Sequence, residues 1–298
     1  MLRKIGISAF SCILSYISFS QEEDLLGLLS EDEKPQKEYV QYAFKSSRVI
    51  MSHSMEVIRP GVMDFRILHR FGNVNNGAYE FFGLDNATMR MGFDFGLTKN
   101  LMAGIGRSTN KKELDAFIKY RLIHQATGPG SMPFSLLFTG GGSVTLIKFA
   151  DTSRKNYFSS RLGFYGQAIF GRKFSEGLSL QLMPTIVHRN LVPTKEDPND
   201  LYSIGFGTRV KLSKRISFNV DYYYRINPNK LDGTKNPLSV GFDIETGGHV
   251  FQVHFTNAIG MNEKVFLLET TNDWGRGDIQ FGFNISRSFQ LGKKKKRK

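Results

Sequence analysis

Cysteine, tryptophan and proline are scarce in this chain. Cys12 and Trp274 stand alone, and nine prolines are spread over 298 residues. Past the N-terminal segment no run of 18 or more apolar residues occurs, which excludes a transmembrane helix. An exported chain of this kind is either soluble outside the membrane or a barrel. No His-x-His or His-Glu-x-x-His spacing is present, so neither a metal site nor another cofactor is expected.

The N-terminus predicts export. Arg3 and Lys4 precede the mostly apolar stretch Ile5–Tyr16, and Ser18-Phe19-Ser20 supplies small residues before a cleavage point at Gln21. That order is a secretory signal peptide over residues 1–20, too short and wrongly flanked to remain as a spanning helix. Cys12 leaves with it, and the mature chain then holds no thiol for disulfides, thiolate catalysis or metal ligation. A lipoprotein signal is disfavoured because Ala9 stands where a leucine-like residue belongs. The formal charge of +13 falls to +11 once Arg3 and Lys4 are removed, and the tail Lys293–Lys298 carries six of that, leaving about +5. The basic character is mostly a tail effect, and for an exported protein nucleic acid is not the expected partner.

What is abundant is alternation. In Leu238–Asn257, Val240, Phe242 and Ile244 alternate with Gly241, Asp243 and Glu245. Gly247-Gly248 follows, and Phe251, Val253 and Phe255 then alternate with Gln252, His254 and Thr256. Two glycines between period-2 runs predict a tight hairpin. The same pattern starts at Val62 and recurs to Gln290, for example as Met89, Met91, Phe93 and Phe95 against Arg90, Gly92, Asp94 and Gly96. Counting the runs predicts about 12 strands in one all-β domain, 62–291. It is preceded by a periplasmic leader or latch, 21–61, and followed by a basic tail, 292–298. Tyr42–Ile50 alternates poorly and is expected as a latch or plug rather than a wall strand.

Connection lengths sort by side. Working back from a periplasmic C-terminus, Thr98-Lys99, Lys173–Glu176, Ser213-Lys214 and Gly247-Gly248 are short inner turns. Gly72–Asn86, Ala150–Tyr157, Arg189–Asp200, Ile226–Pro237 and Asn257–Gly277 are longer, polar outer loops. Outer-membrane barrels show this asymmetry. Thr109–Lys112 and His124–Ser131 depart from it. A soluble sandwich or lipocalin-like barrel is the competing fold, but 12 strands are too many for one small closed core. The expected fold is a transmembrane antiparallel up-and-down β-barrel in the outer membrane, with lipid as its surroundings and both termini periplasmic.

Phe65-Arg66-Ile67-Leu68-His69-Arg70-Phe71-Gly72, Tyr79–Gly92, Gly96–Ser108 and Glu245–Asn257 resemble recurrent blocks of a Gram-negative outer-membrane β-barrel family catalogued only as a domain of unknown function. The resemblance spans about Glu38 to Leu291. It implies the barrel fold and the outer membrane, and brings no activity or catalytic residue with it. The ending departs from the usual one, because nine residues follow Phe289.

The inward face is expected to carry Asp64, Arg66, Arg90, Asp94, Asp115, Lys119, Arg121, Arg161, Arg209, Asp221, Arg225, Asp243, Glu245 and His254. Two readings follow. These charges either line a pore or binding site for a small polar solute, or fill a closed lumen with ion pairs and hydrogen bonds in a structural or partner-docking barrel. The pore reading is favoured at this level. An enzyme is not expected: His254 shares its phase with Asp243, Glu245, Ser239 and Thr256, but a lone imidazole on a polar barrel face is usually a hydrogen-bonded filler. Trp274 in the last outer loop is assigned to the membrane interface rather than to a ligand.

Overall fold

The computed structural model describes residues 36–149, 151–153, 155–226 and 233–292. The signal segment, most of the acidic leader and the tail 293–298 lie outside them. Period-2 alternation becomes twelve antiparallel strands closed into one barrel. In chain order they are β1 (Val62–Asn73), β2 (Ala87–Gly96), β3 (Leu101–Ser108), β4 (Leu114–Ile123), β5 (Ser135–Val144) and β6 (Leu162–Lys173). Then follow β7 (Leu178–Arg189), β8 (Asp200–Lys211), β9 (Ile216–Arg225), β10 (Leu238–Thr246), β11 (His249–Thr256) and β12 (Gln280–Gln290). Each strand pairs with its neighbours in sequence, and β12 closes on β1 with Phe289 opposite Met63 and Ile285 opposite Ile67. Closure leaves no unpaired strand edge, the condition for β-structure in lipid.

The alternation separates two environments. On β4, Ile118, Tyr120 and Leu122 are 59%, 45% and 56% exposed, while Phe117, Lys119 and Arg121 between them are buried. Outward apolar residues meet across strands, as with Phe65 and Phe93, whose ring centroids are 5.1 Å apart, and Phe218 and Phe242 at 5.4 Å. In water this band would be a large uncovered apolar surface; in a bilayer it is the lipid-facing wall. Gly247 and Gly248 turn the β10–β11 hairpin with φ of 41° and 112°, left-handed values that side-chain-bearing residues adopt at a cost.

Most short turns gather at one end of the barrel and most long loops at the other; the short connection 109–113 at the loop end and the longer 124–134 at the turn end are the exceptions. The loop after β11 contains the α-helix α1 (Glu263–Leu268), every residue of which is buried, and then a 3-10 turn at Trp274–Arg276. The side chain of Asn262 caps it by accepting from Val265 N at 3.0 Å. Residues 36–39 and 126–131 belong to a separate small unit, in which Glu38–Tyr39 pairs antiparallel with Ala126–Thr127.

The buried core lies inside the barrel. Leu137, Ile169, Met183, Val187, Leu201 and Tyr223 project inward from β5 to β9. They pack against Phe44, Val49, Ile50, Met51 and Met55 of the N-terminal segment and against Phe266, Leu267 and Leu268 of α1. Tyr42–Ile50, expected as a latch or plug outside the barrel, is a plug inside it: from Ala43 onward every residue but Lys45 is buried within the lumen. The physical reason is also why β5–β9 carry apolar side chains on a face expected to be polar. A lumen filled with protein is a protein interior and packs like one.

Candidate functional site: a plugged lumen

The plug begins with a sequence too short and too serine-rich to form a wall strand. Ser47–Ser54 folds into a small hairpin: Ser54 N donates to Ser47 O at 3.0 Å, Val49 N donates to Ser52 O at 2.9 Å, and Arg48 bridges His53. Small serines let the two arms approach closely, with Ser54 Oγ donating to Ser46 O at 2.6 Å. The apolar residues Val49, Ile50 and Met51 form the tip and enter the core just described.

A buried hairpin carries backbone groups that water cannot reach, and each needs a partner. Seven strands of the barrel bond the plug segment, six of them through its backbone. Asp221 Oδ2 on β9 accepts from the amides of Ile50, Met51 and Ser52 at 3.3, 2.8 and 2.8 Å, a carboxylate set in a nest of N–H groups. Lys119 Nζ on β4 donates to the carbonyls of Ser47, Ser54 and Glu56 at 3.0, 3.0 and 2.8 Å. Gln181 on β7 accepts from Met55 N at 3.0 Å and donates to His53 O at 2.7 Å. Gln252 on β11 donates to Val49 O at 2.6 Å, and Asn284 on β12 donates to Ile50 O at 3.2 Å. Arg66 on β1 reaches Ser47 Oγ at 2.7 Å, Arg121 on β4 reaches Met55 O at 3.0 Å, and Arg209 on β8 reaches Ala43 O at 3.2 Å.

From the loop end, α1 meets the plug. Arg48 Nη1 donates to Glu263 at 2.6 Å with both side chains buried. The Arg48 guanidinium also lies 5.3 Å from the Phe117 ring centroid. His53 Nε2 is 3.0 Å from the Tyr165 hydroxyl, and its ring stands edge-on to Phe117 at 4.5 Å. Burial, with the Arg48 and Lys119 cations adding to it, pushes His53 well below the ordinary imidazole range, so it is neutral at pH 7. Lys264 pairs with Glu113, whose other oxygen accepts from Asn262 at 3.1 Å.

The remaining inward charges lie against one another, some hydrogen-bonded and some, such as Asp94, only within ion-pair distance. Arg90 binds Asp115 in bidentate fashion, Nε to Oδ2 at 2.9 Å and Nη2 to Oδ1 at 2.5 Å. Gly106 makes room for this: a Cβ there would sit 2.1 Å from Arg90 Nη2. Arg66 lies 3.8 Å from Asp64 and 3.9 Å from Asp94. Asp243 accepts from Gln252 at 2.8 Å. His254 is buried and neither ring nitrogen has a side-chain hydrogen-bond partner, while the nearby hydroxyls of Ser239 and Thr256 bond each other at 2.7 Å.

Three residues assigned to the inward face stand at its rims. Arg161 lies in a short turn before β6, bonded to Thr145 O at 2.9 Å and to Ile147 O, and stacked on Phe149. Arg225 ends β9 and donates to Asn236 Oδ1 at 3.1 Å. Glu245 is exposed at the turn end and pairs with Lys45. These positions keep strand parity but fall where the strands end, a length effect that alternation alone does not carry. Sequence reasoning missed Gln181, Gln252 and Asn284 as partners of the plug. The available signal was an amide on an inward phase, which reads equally well as pore lining.

The lumen is thereby divided. A cavity of about 810 Å³ opens at the loop end, floored by Lys264, Leu268 and Glu269 of α1 and the residue after it. Another of about 600 Å³ lies at the turn end, between residues 40–60 and the wall. Their linings share no residue, and between them stand the buried hairpin and α1.

A family model described as "Membrane bound beta barrel domain (DUF5777)" matches residues 44–289. The chain belongs to this family. The matched span begins at Phe44, so it takes in the plug hairpin as well as the wall. No curated protein matches the sequence. Among solved structures, the NanC porin is similar at 8% identity and TM-score 0.46, covering 77% of this chain and 100% of that one. The KdgM porin is similar at 9% and 0.44, covering 76% and 99%. LpxR from Salmonella typhimurium is similar at 11% and 0.35, covering 76% and 99%. Likeness at this level bears on neither solute nor mechanism.

Proposed function

We propose that this membrane-bound barrel resides in the outer membrane with its termini in the periplasm, and that in its resting state its lumen is closed by its own N-terminal segment. It then acts as a structural or partner-docking barrel without catalytic activity. The observation that carries this reading is the hairpin Ser47–Ser54, held across the lumen by side chains of six strands, with a seventh bonding Ala43 just before it. Four of the charges expected to line a pore, Lys119, Arg121, Arg209 and Asp221, are already engaged with backbone carbonyls and amides of the plug. The decisive experiment is single-channel recording of the refolded chain in a planar bilayer, with folding checked by heat-modifiable gel mobility. A folded, silent barrel is the expected result; steady, salt-dependent conductance steps overturn it.

Passage of a small polar solute is the second reading, and one observation favours it. Cavities approach the hairpin and α1 from both ends, and the wall behind them bears Arg66, Arg90, Asp94 and Asp115. On that reading the plug must move. Conductance appears only when the plug is displaced, and it changes in ion selectivity when Asp94 is neutralised.

A further inference from the structure

The loop-end cavity is not used by the closed barrel, and its lining is unlike that of a water-filled entrance. Five cations against three carboxylates face it, together with an apolar wall that includes Ile147, Phe149, Leu191, Val192 and Leu268. Lys148 is exposed at its edge and forms no ion pair among the described residues. Arg189 is partly buried: its Nε reaches only Pro198 O at 3.3 Å, its buried Nη2 has no hydrogen-bond partner, and the ion-pair carboxylate, Asp197, is 3.9 Å away. An under-satisfied guanidinium beside an apolar wall is costly in the empty site and is relieved by an anion that brings its own apolar body. The volume, about 810 Å³, lies in the range of small-molecule sites.

We propose that this vestibule binds a small amphipathic organic carboxylate, with the carboxylate between Arg189 and Lys148 and the apolar body against Leu191, Val192 and Leu268. The cavity is blind, because Lys264 and Leu268 of α1 form its floor, so the ligand is held and not passed on. The proposal takes only this floor from the closed-lumen reading. Conductance tests the floor and ligand binding tests the pocket, so the two can fail separately.

The test uses the full folded chain in nanodiscs, titrated by calorimetry with 3-phenylpropionate, its uncharged amide, and acetate. Saturable binding of the carboxylate is expected, at least tenfold tighter than that of either control. Lys148→Gln and Arg189→Gln should each weaken it roughly tenfold, the effect of one charge-assisted hydrogen bond. Lys99→Gln at the turn end should leave it unchanged. Lys148 is exposed, so its variant folds even if the Arg189 variant does not. Equal binding of the amide, equal binding of acetate, or unchanged affinity in folded Lys148→Gln overturns the proposal.

Discussion

Lys119→Met tests how the plug is held. Lys119 is fully buried on β4, and its ammonium donates to three carbonyls of the plug, those of Ser47, Ser54 and Glu56. Methionine keeps most of the volume and removes all three donors. A hydrogen bond to a charged group contributes about 1.5–3 kcal/mol, and a carbonyl left dry and unpaired costs about 1–3 kcal/mol. Against this, no carboxylate bonds Lys119, so its removal also relieves the cost of burying a charge. Weighing these, the seated plug loses roughly 2–4 kcal/mol relative to the released one, a shift of about 30- to 1,000-fold in the equilibrium. The wall strands keep their ladder, so the heat-modifiable band should persist. The expected readout is intermittent conductance in a bilayer, together with faster trypsin cleavage at Lys45 or Arg48 than in the parent chain. A folded Lys119→Met barrel that stays silent and equally protected would refute the assignment of Lys119 as an anchor.

Asp221→Ala removes the acceptor of three tip amides and should release the plug to a similar degree, whereas Asp221→Asn, which keeps an acceptor, should do so less; protease protection of residues 43–58 compares them. His53 is neutral when seated and has its ordinary value of about 6.5 when released. The released form alone gains a proton as pH falls through that value, so seating weakens below about pH 6.5 and is fully present above it. Cleavage rates at pH 5 and pH 8 should show this slope, and His53→Phe should flatten it. Asn262→Ala removes the cap of α1 and a bond to Glu113, at about 1–2 kcal/mol, and should lower the thermal midpoint of the barrel without changing its gel shift. Gly106→Leu puts a side chain where the Arg90 guanidinium lies, since a Cβ at this position would stand 2.1 Å from Nη2, and should reduce the yield of folded barrel far more than Gly292→Leu, where a Cβ meets nothing within 4 Å.

The wall was legible in the chain because its cause is local. A strand of period 2 that places Phe242 outward and Asp243 inward does so whatever its neighbours are, and a turn such as Gly247-Gly248 marks its own place. Strand number, alternation of faces and the two classes of connection all follow from such local signals. The inner face was legible only as polarity. Arg66 and Asp94 read the same whether water or protein stands between them, and the apolar inner positions Met183, Val187 and Leu201 carried the missing information. Tertiary structure alone decided what fills the lumen. The contacts that do so join Ile50 to Asp221, Val49 to Gln252 and Arg48 to Glu263, pairs separated by some 170 to 215 residues, and no local period encodes them. Sequence determined the barrel because lipid imposes one rule on every outward side chain. The closed interior depended on particular partners meeting across the lumen, where each buried polar group needs a mate of the right kind at the right place.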